Sequence, residues 1–193
     1  MTLIFCLIIA YLLGSVSTAI VTSKLLGLAD PRTQGSGNAG ATNVLRTAGK
    51  KAGIITLIGD AAKGAIAVFI GIVLHLGPGS LALIALFAVI GHVFPVWFQF
   101  KGGKGVATAI GGLLVLNFWI GLLVLIVLFT IAIITRYVSL GSIIALIAAP
   151  VLLFIFGNLS AALPILIMAL LVIWKHKDNI DRLYHGIERK LSF

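Results

Sequence analysis

The sequence predicts an all-α integral membrane protein. We read seven transmembrane helices, with the N-terminus outside and the C-terminus in the cytoplasm. Three observations carry this. The 193 residues are 61% hydrophobic and 10% charged, with a mean hydropathy of +1.22, against roughly 45–50% apolar and about 25% charged in a soluble domain. That composition excludes a typical soluble enzyme, and it excludes disorder. The charges fall between long charge-free runs. The 14 Lys and Arg can all be assigned to one side of the membrane, as the positive-inside rule favours. The net charge of +9 therefore reads as topology, and no nucleic-acid partner is expected. The single cysteine, Cys6, excludes a disulfide framework and a multi-cysteine metal cluster.

The elements follow in order. Residues 1–23 carry no Lys, Arg, Asp or Glu and make the first span. No basic segment precedes this run, so it is a poor signal peptide, although Ser17-Thr18-Ala19 faintly resembles a cleavage site. Residues 64–100 are charge-free for 37 positions, broken at Gly77-Pro78-Gly79, where Gly and Pro end a helix. That gives a second span over 54–76 and a third over 81–98. Residues 137–174, a run of 38 broken at Gly157-Asn158, give the last two. The run 105–135 decides the count. As one helix its 31 residues would measure about 46 Å, against a hydrocarbon core of about 30 Å. One helix there splits the cations 8:6 between faces, whereas a turn near Asn117 puts them 14:0 on one face. Two helices are therefore expected, with a short half-helix at 105–116. The chain reads as one membrane domain over 1–193. Its cytoplasmic parts are 27–53, 99–104, 136–138 and a tail at 175–193. The five acids fall on that side too, and no metal or cofactor is expected.

Three cytoplasmic segments carry chemistry. The first is Gly35-Ser36-Gly37-Asn38-Ala39-Gly40-Ala41-Thr42-Asn43, followed by Arg46. Alternating glycines let backbone N–H groups converge into an anion-binding nest. Ser36, Asn38, Thr42 and Asn43 add side-chain donors, and Arg46 adds a fork suited to phosphate. A flexible polar loop with a topological arginine is the plainer alternative. The second is Lys101-Gly102-Gly103-Lys104-Gly105-Val106-Ala107-Thr108, introduced by Gly91-His92-Val93-Phe94-Pro95. Free N–H groups at a helix start, with a lysine, make a phosphate cradle. The spacing is not that of a P-loop. Lys101 reads as an interfacial anchor, and Lys104 as a ligand cation. The third is the tail from Trp174 through His176, Asn179, Asp181 and Arg182 to Glu188. A basic segment lying on anionic lipid is the bland reading. His176 and Asn179, three apart, share a helix face. His176 and Asp181 carry the His-x4-Asp spacing known from one class of acyltransferases, which we read as coincidence.

The remaining candidates are weaker. Ser139 is expected to N-cap the sixth span, and Ser142, one turn on, to face a ligand or ease helix packing. His92 is expected to satisfy a backbone group freed by Pro95, and His75 to sit at the outer interface. Cys6, Trp97, Trp119 and Trp174 are expected at lipid-facing or interfacial positions. Together the segments ask for a phosphorylated, membrane-associated substrate.

These motifs resemble the bacterial acyl-phosphate:glycerol-3-phosphate acyltransferases of the PlsY type. The resemblance covers nearly the whole chain and rests on the 35–43 segment with Arg46, on 91–95 with 100–108, and on 176–188. It implies a seven-helix protein of the bacterial inner membrane with a cytoplasmic active site. It implies transfer of a fatty acyl group from acyl phosphate, independently of acyl-CoA, to the 1-hydroxyl of glycerol 3-phosphate. The products are lysophosphatidic acid and inorganic phosphate, the first step of phospholipid synthesis. A soluble phosphate acyltransferase is implied as the donor's supplier. On this reading Ser36, Arg46 and Lys104 hold the glycerol 3-phosphate phosphate. The 35–40 loop and the 102–105 turn meet the acyl phosphate head. His176 and Asn179, with Ser142 as a weaker candidate, orient the glycerol hydroxyls. Either His176 or the substrate's own phosphate takes the proton. Glu188 ties the tail to the loops, and the acyl chain enters sideways between helices. The competing class is a membrane carrier for a phosphorylated metabolite or lipid, whose half-helices and glycine breaks look similar.

Overall fold

The computed structural model describes residues 1–156 and 158–191. Among the described residues there are ten α-helices, two short 3₁₀ turns and no strand. Four helices are long and apolar enough to cross a bilayer: α4 (Lys50–Val73), α5 (Pro78–Val93, counted with the turn to Phe98), α7 (Phe118–Thr135) and α8 (Val138–Ile155). Two bent pairs qualify together. These are α1 (Thr2–Gly14) with α2 (Thr18–Leu25), bent by 41°, and α9 (Leu159–Lys175) with α10 (Lys177–Tyr184), bent by 59°. The remaining helices are short: α3 (Ala41–Ala48) and α6 (Val106–Leu116).

The first span, expected over 1–23, is bent into α1 and α2. Ser15 turns its hydroxyl onto the Tyr11 carbonyl at 2.8 Å, the local side-chain bond that competes with helix continuation. Lys63 Nζ of α4 donates to the Val16 carbonyl at 2.9 Å inside the break. Gly77 and Pro78 start α5, with proline at the first helical position, where its missing N–H costs nothing. Asn117 separates α6 from α7 and accepts from the Ile120 N–H at 3.2 Å, a side-chain N-cap. The break expected at Gly157-Asn158 is present: α8 ends at Ile155 and Asn158 is the N-cap of α9; Gly157 itself lies outside the described residues.

Three further expectations are corrected. Tyr137, not Ser139, is the N-cap of α8, because the helix starts two residues early and Ser139 Oγ is drawn to Glu188 of the tail. Cys6 is buried in the core rather than facing lipid. Lys63, counted among the cytoplasmic topology charges, is buried in α4 together with Asp60. Trp97, Trp119 and Trp174 are exposed.

The helices approach closely because small residues line their contacts. Gly64 and Gly111 bring the backbones of α4 and α6 together. Gly14 and Gly91 do the same for α1 and α5. In a solvent as apolar as the side chains, such backbone contact replaces the hydrophobic drive of soluble cores. Helix α6 packs against α4, α5 and α7. Being only 11 residues long, it leaves space beside it.

Candidate active site at the base of the short helix

That space belongs to a cavity of about 720 Å³. Its polar end is lined by Ser36, Asn38, Arg46, Lys104, Ser142, His176, Asn179, Arg182 and Glu188. Its other arm is apolar, lined by Ile54, Leu57 and Ile58 of α4, Ile110 and Leu114 of α6, and Leu125, Leu128 and Phe129 of α7. Ile54, Ile58 and Phe129 are at least half exposed, so this arm opens on the flank of the bundle. Residues as far apart in sequence as Ser36 and Glu188 thus line one cavity.

The 35–43 loop braces itself. Asn43 is buried, and its Nδ2 donates to the carbonyls of Pro31 (2.8 Å), Gln34 (3.0 Å) and Asn38 (3.0 Å). Its Oδ1 accepts from the Ser36 N–H at 2.9 Å. The side chain expected to donate to phosphate is therefore spent on the loop's shape. Gly35 has φ +61°, and a Cβ there would run into the Asn43 amide; only glycine fits both constraints. Gly35, Gly40 and Thr42 line the cavity, whereas Gly37 does not. Arg46, in the last turn of α3, reaches the cavity. Its Nη2 donates to the Arg189 carbonyl at 3.2 Å.

The second glycine segment is held from outside. The Gly103 N–H donates to the His92 carbonyl at 3.2 Å, and Gly102 and Gly103 sit so tightly against His92 that no side chain fits there. These two glycines lie behind the wall; Lys104 and Gly105 form it. Gly105 takes φ +90° and caps α6, whose first residues, Val106 and Ala107, also line the cavity. Lys104 Nζ donates to Asn179 Oδ1. His92 does not satisfy a backbone group freed by Pro95, as expected; its Nδ1 lies 3.3 Å from Thr108 Oγ1 and 3.5 Å from Asp60 Oδ1. The buried Asp60 carboxylate competes for that ring.

The tail closes the arrangement. His176, the hinge between α9 and α10, and Asn179, in the first turn of α10, are both buried and line the cavity. Asp181 is exposed, beside His185 at 3.4 Å, so the His-x4-Asp spacing brings no pair together. Past the turn at Gly186, Glu188 returns to accept from Asn179 Nδ2 at 2.6 Å, Ser139 Oγ at 2.8 Å and Arg182 Nε at 2.7 Å. Ser142 lines the cavity, but its hydroxyl donates to the Val138 carbonyl at 2.8 Å. Arg182, Arg189, Ser139 and Asp60, missed as site residues in the sequence, also line the cavity. Arg182 was findable, three residues beyond Asn179 on the same face.

The electrostatics favour anions. Four cations, Arg46, Lys104, Arg182 and Arg189, line the cavity against Glu188 and the internally paired Asp60. Burial pushes Lys104 down to about 8, partly opposed by Glu188. Burial, then the Lys104 charge, pushes His176 down to about 4, so it is neutral near pH 7. Its Nδ1 lies 2.8 Å from the Val172 carbonyl, which assigns the proton to Nδ1 and leaves Nε2 as an acceptor. Burial works against Glu188, but the bonds from Asn179, Ser139 and Arg182 outweigh it and hold it below the usual carboxylate range.

A cavity that joins cationic residues to an apolar arm has the chemistry to receive a phosphorylated amphiphile. Residues 4–186 match the glycerol-3-phosphate acyltransferase family. The chain belongs to that family. It is 51% identical, over the full length of both chains, to a glycerol-3-phosphate acyltransferase of Coxiella burnetii. It is 47% identical to one of Methylococcus capsulatus, covering 95% of this chain and 93% of the relative. A crystal structure of PlsY (YgiH), an integral membrane glycerol 3-phosphate acyltransferase in its glycerol 3-phosphate form, superposes with a TM-score of 0.94 at 40% identity. The match covers 100% of this chain and 96% of that one. The lysophosphatidic acid form of PlsY gives 0.92 at 39% identity, with the same coverage.

Proposed function

We propose that this chain is an acyl-phosphate:glycerol-3-phosphate acyltransferase of the bacterial inner membrane. Its seven spans are α1 with α2, then α4, α5, α6, α7, α8 and α9, forming one domain with the N-terminus outside and the site facing the cytoplasm. The observation that carries the reading is the single cavity joining four cations to an apolar arm. A phosphate ester, an acyl phosphate head and a fatty chain need that combination together.

The donor is a mixed anhydride, already activated, so positioning and charge neutralisation supply most of the catalysis. Arg46, Lys104 and Ser36 hold the phosphate of glycerol 3-phosphate. The 35–40 loop and the α6 N-terminus receive the acyl phosphate head, and the acyl chain lies in the arm beside α6, entering from the bilayer. The glycerol 1-hydroxyl oxygen bonds to the acyl carbon, and the bond from that carbon to the phosphate oxygen breaks. Inorganic phosphate leaves with the electron pair. His176 Nε2 accepts a hydrogen bond from the attacking hydroxyl, and Asn179 fixes Lys104. His176 keeps its proton on Nδ1 toward the Val172 carbonyl, and a phosphate, with a second pKa of about 6, is itself a base near pH 7. The proton therefore ends on a phosphate oxygen. A soluble phosphate acyltransferase supplies the donor.

Purified protein in detergent, given radiolabelled glycerol 3-phosphate, is expected to form lysophosphatidic acid with palmitoyl phosphate and none with palmitoyl-CoA. Product from palmitoyl-CoA as well overturns the donor assignment. No product from folded protein, with uptake of glycerol 3-phosphate into liposomes, favours the carrier.

A further inference from the structure

Asp60, Lys63, His92 and Thr108 form a polar cluster inside the bundle that the proposed chemistry does not use. All four are buried, at 6% exposure or less. Asp60 and Lys63, three apart on α4, pair at 2.9 Å. Asp60 Oδ1 also lies 3.5 Å from His92 Nδ1, which shares Thr108 Oγ1 at 3.3 Å. Lys63 continues to the Val16 carbonyl in the α1–α2 break. Taking two charges out of water is strongly unfavourable, and well-packed apolar residues often serve as well or better. Stability alone is thus a weak account of the pair.

The cluster's outer edge supplies another. His92 is the surface against which the 102–105 turn is moulded. Its carbonyl takes the Gly103 N–H, and its Nε2 edge faces Gly103 where a Cβ would stand. The next residue is Lys104. On its other side Lys104 is held by Asn179. The ammonium is therefore fixed from the tail at its tip and from the bundle interior at its backbone. Asp60 and Glu188 are the two acids that line the cavity. The Asp60 charge is committed to Lys63, so it fixes the His92 ring without repelling a bound phosphate.

We propose that Asp60 is a positioning residue that acts through His92 to hold the 102–105 turn and so aim Lys104 into the cavity. The proposal rests on Lys104 serving as the phosphate cation of the proposed function. Outer partners of this kind matter because a misplacement of about 1 Å can cost about a hundredfold in rate.

The test uses the full chain in detergent and two readouts. One is the labelling rate of each lysine by trinitrobenzenesulfonate, resolved by peptide mass spectrometry. The other is kcat/KM for glycerol 3-phosphate. In Asp60→Asn, Lys104 is expected to label several-fold faster while Lys50 and Lys177 keep their rates. The kcat/KM is expected to fall by about tenfold to a hundredfold, mostly through KM. Thr108→Val, which removes only the hydroxyl shared by His92, should move both readouts the same way by less, and it serves should Asp60→Asn fail to fold. Unchanged Lys104 labelling in the folded variants overturns the proposal. So does a parallel rise at Lys50 and Lys177, since that marks general loosening. If the wild-type protein forms no lysophosphatidic acid, the functional reading fails, and the labelling arm still decides the role of Asp60.

Discussion

The two glycine-rich segments look alike in sequence and are built in opposite ways. The 35–43 loop carries its own brace, because one buried amide, Asn43, makes four hydrogen bonds to the loop and its approach. The 102–105 turn has no such residue and borrows its shape from His92 behind it and Asn179 in front. A self-braced loop fails at an internal residue. A borrowed one fails at a distance. The glycines themselves reveal neither, since they give freedom and not shape.

The largest effect that sharpens this contrast is expected at the cations both segments present. Arg46→Ala and Lys104→Ala should each lower kcat/KM by about a hundredfold or more, as for loss of one preorganised charge-stabilising donor; steady-state kinetics on folded protein check it. Next, Asn43→Ala should lower stability by about 1–3 kcal/mol, the cost of leaving buried polar groups unpaired. Thermal unfolding in detergent reads this, and activity should fall with it. A variant as stable as wild type would break the self-braced description.

The borrowed segment is better probed by pH. Burial lowers Lys104 to about 8 and Glu188 partly opposes it. Binding by Lys104 is full below that pH and is lost as pH rises through about 8. Lys104→Arg should displace the alkaline limb of the kcat/KM profile upward. Glu188→Gln should move it downward, because a carboxylate that favours the ammonium is gone, and should cost about tenfold through Asn179. An alkaline limb that both variants leave in place would remove Lys104 as the titrating group. The smallest effect is expected at Ser142→Ala, within about 1 kcal/mol of wild-type stability, the net worth of one neutral hydrogen bond, because its hydroxyl already serves the Val138 carbonyl.

The helical membrane fold was legible because its signals are additive. Charge-free runs mark the helices, and a proline, an asparagine or a glycine marks many of their ends, as at Pro78 and Asn117. The candidate site was legible as a set of segments, not as a geometry. Asn43 reads as a donor to ligand until its four partners are known. Ser139 reads as a cap until Glu188 is found beside it, 49 residues away. Counting charges for topology treats every charged side chain as solvated, so Lys63 and Asp60 both count toward the cytoplasmic face, although they are buried as a pair. Pairing across helices leaves no periodic trace. The bend after Gly14 is hidden for a similar reason, since the lysine that tends it lies 47 residues on.

The apolar arm runs beside the short α6 and is walled by Ile54, Ile58 and Phe129, each at least half exposed. A donor that arrives through such a flank is counted per lipid, not per litre. Adding inert detergent to the assay at fixed total donor should slow turnover by surface dilution alone, and on the proposed route the donor's scale is a mole fraction in two dimensions.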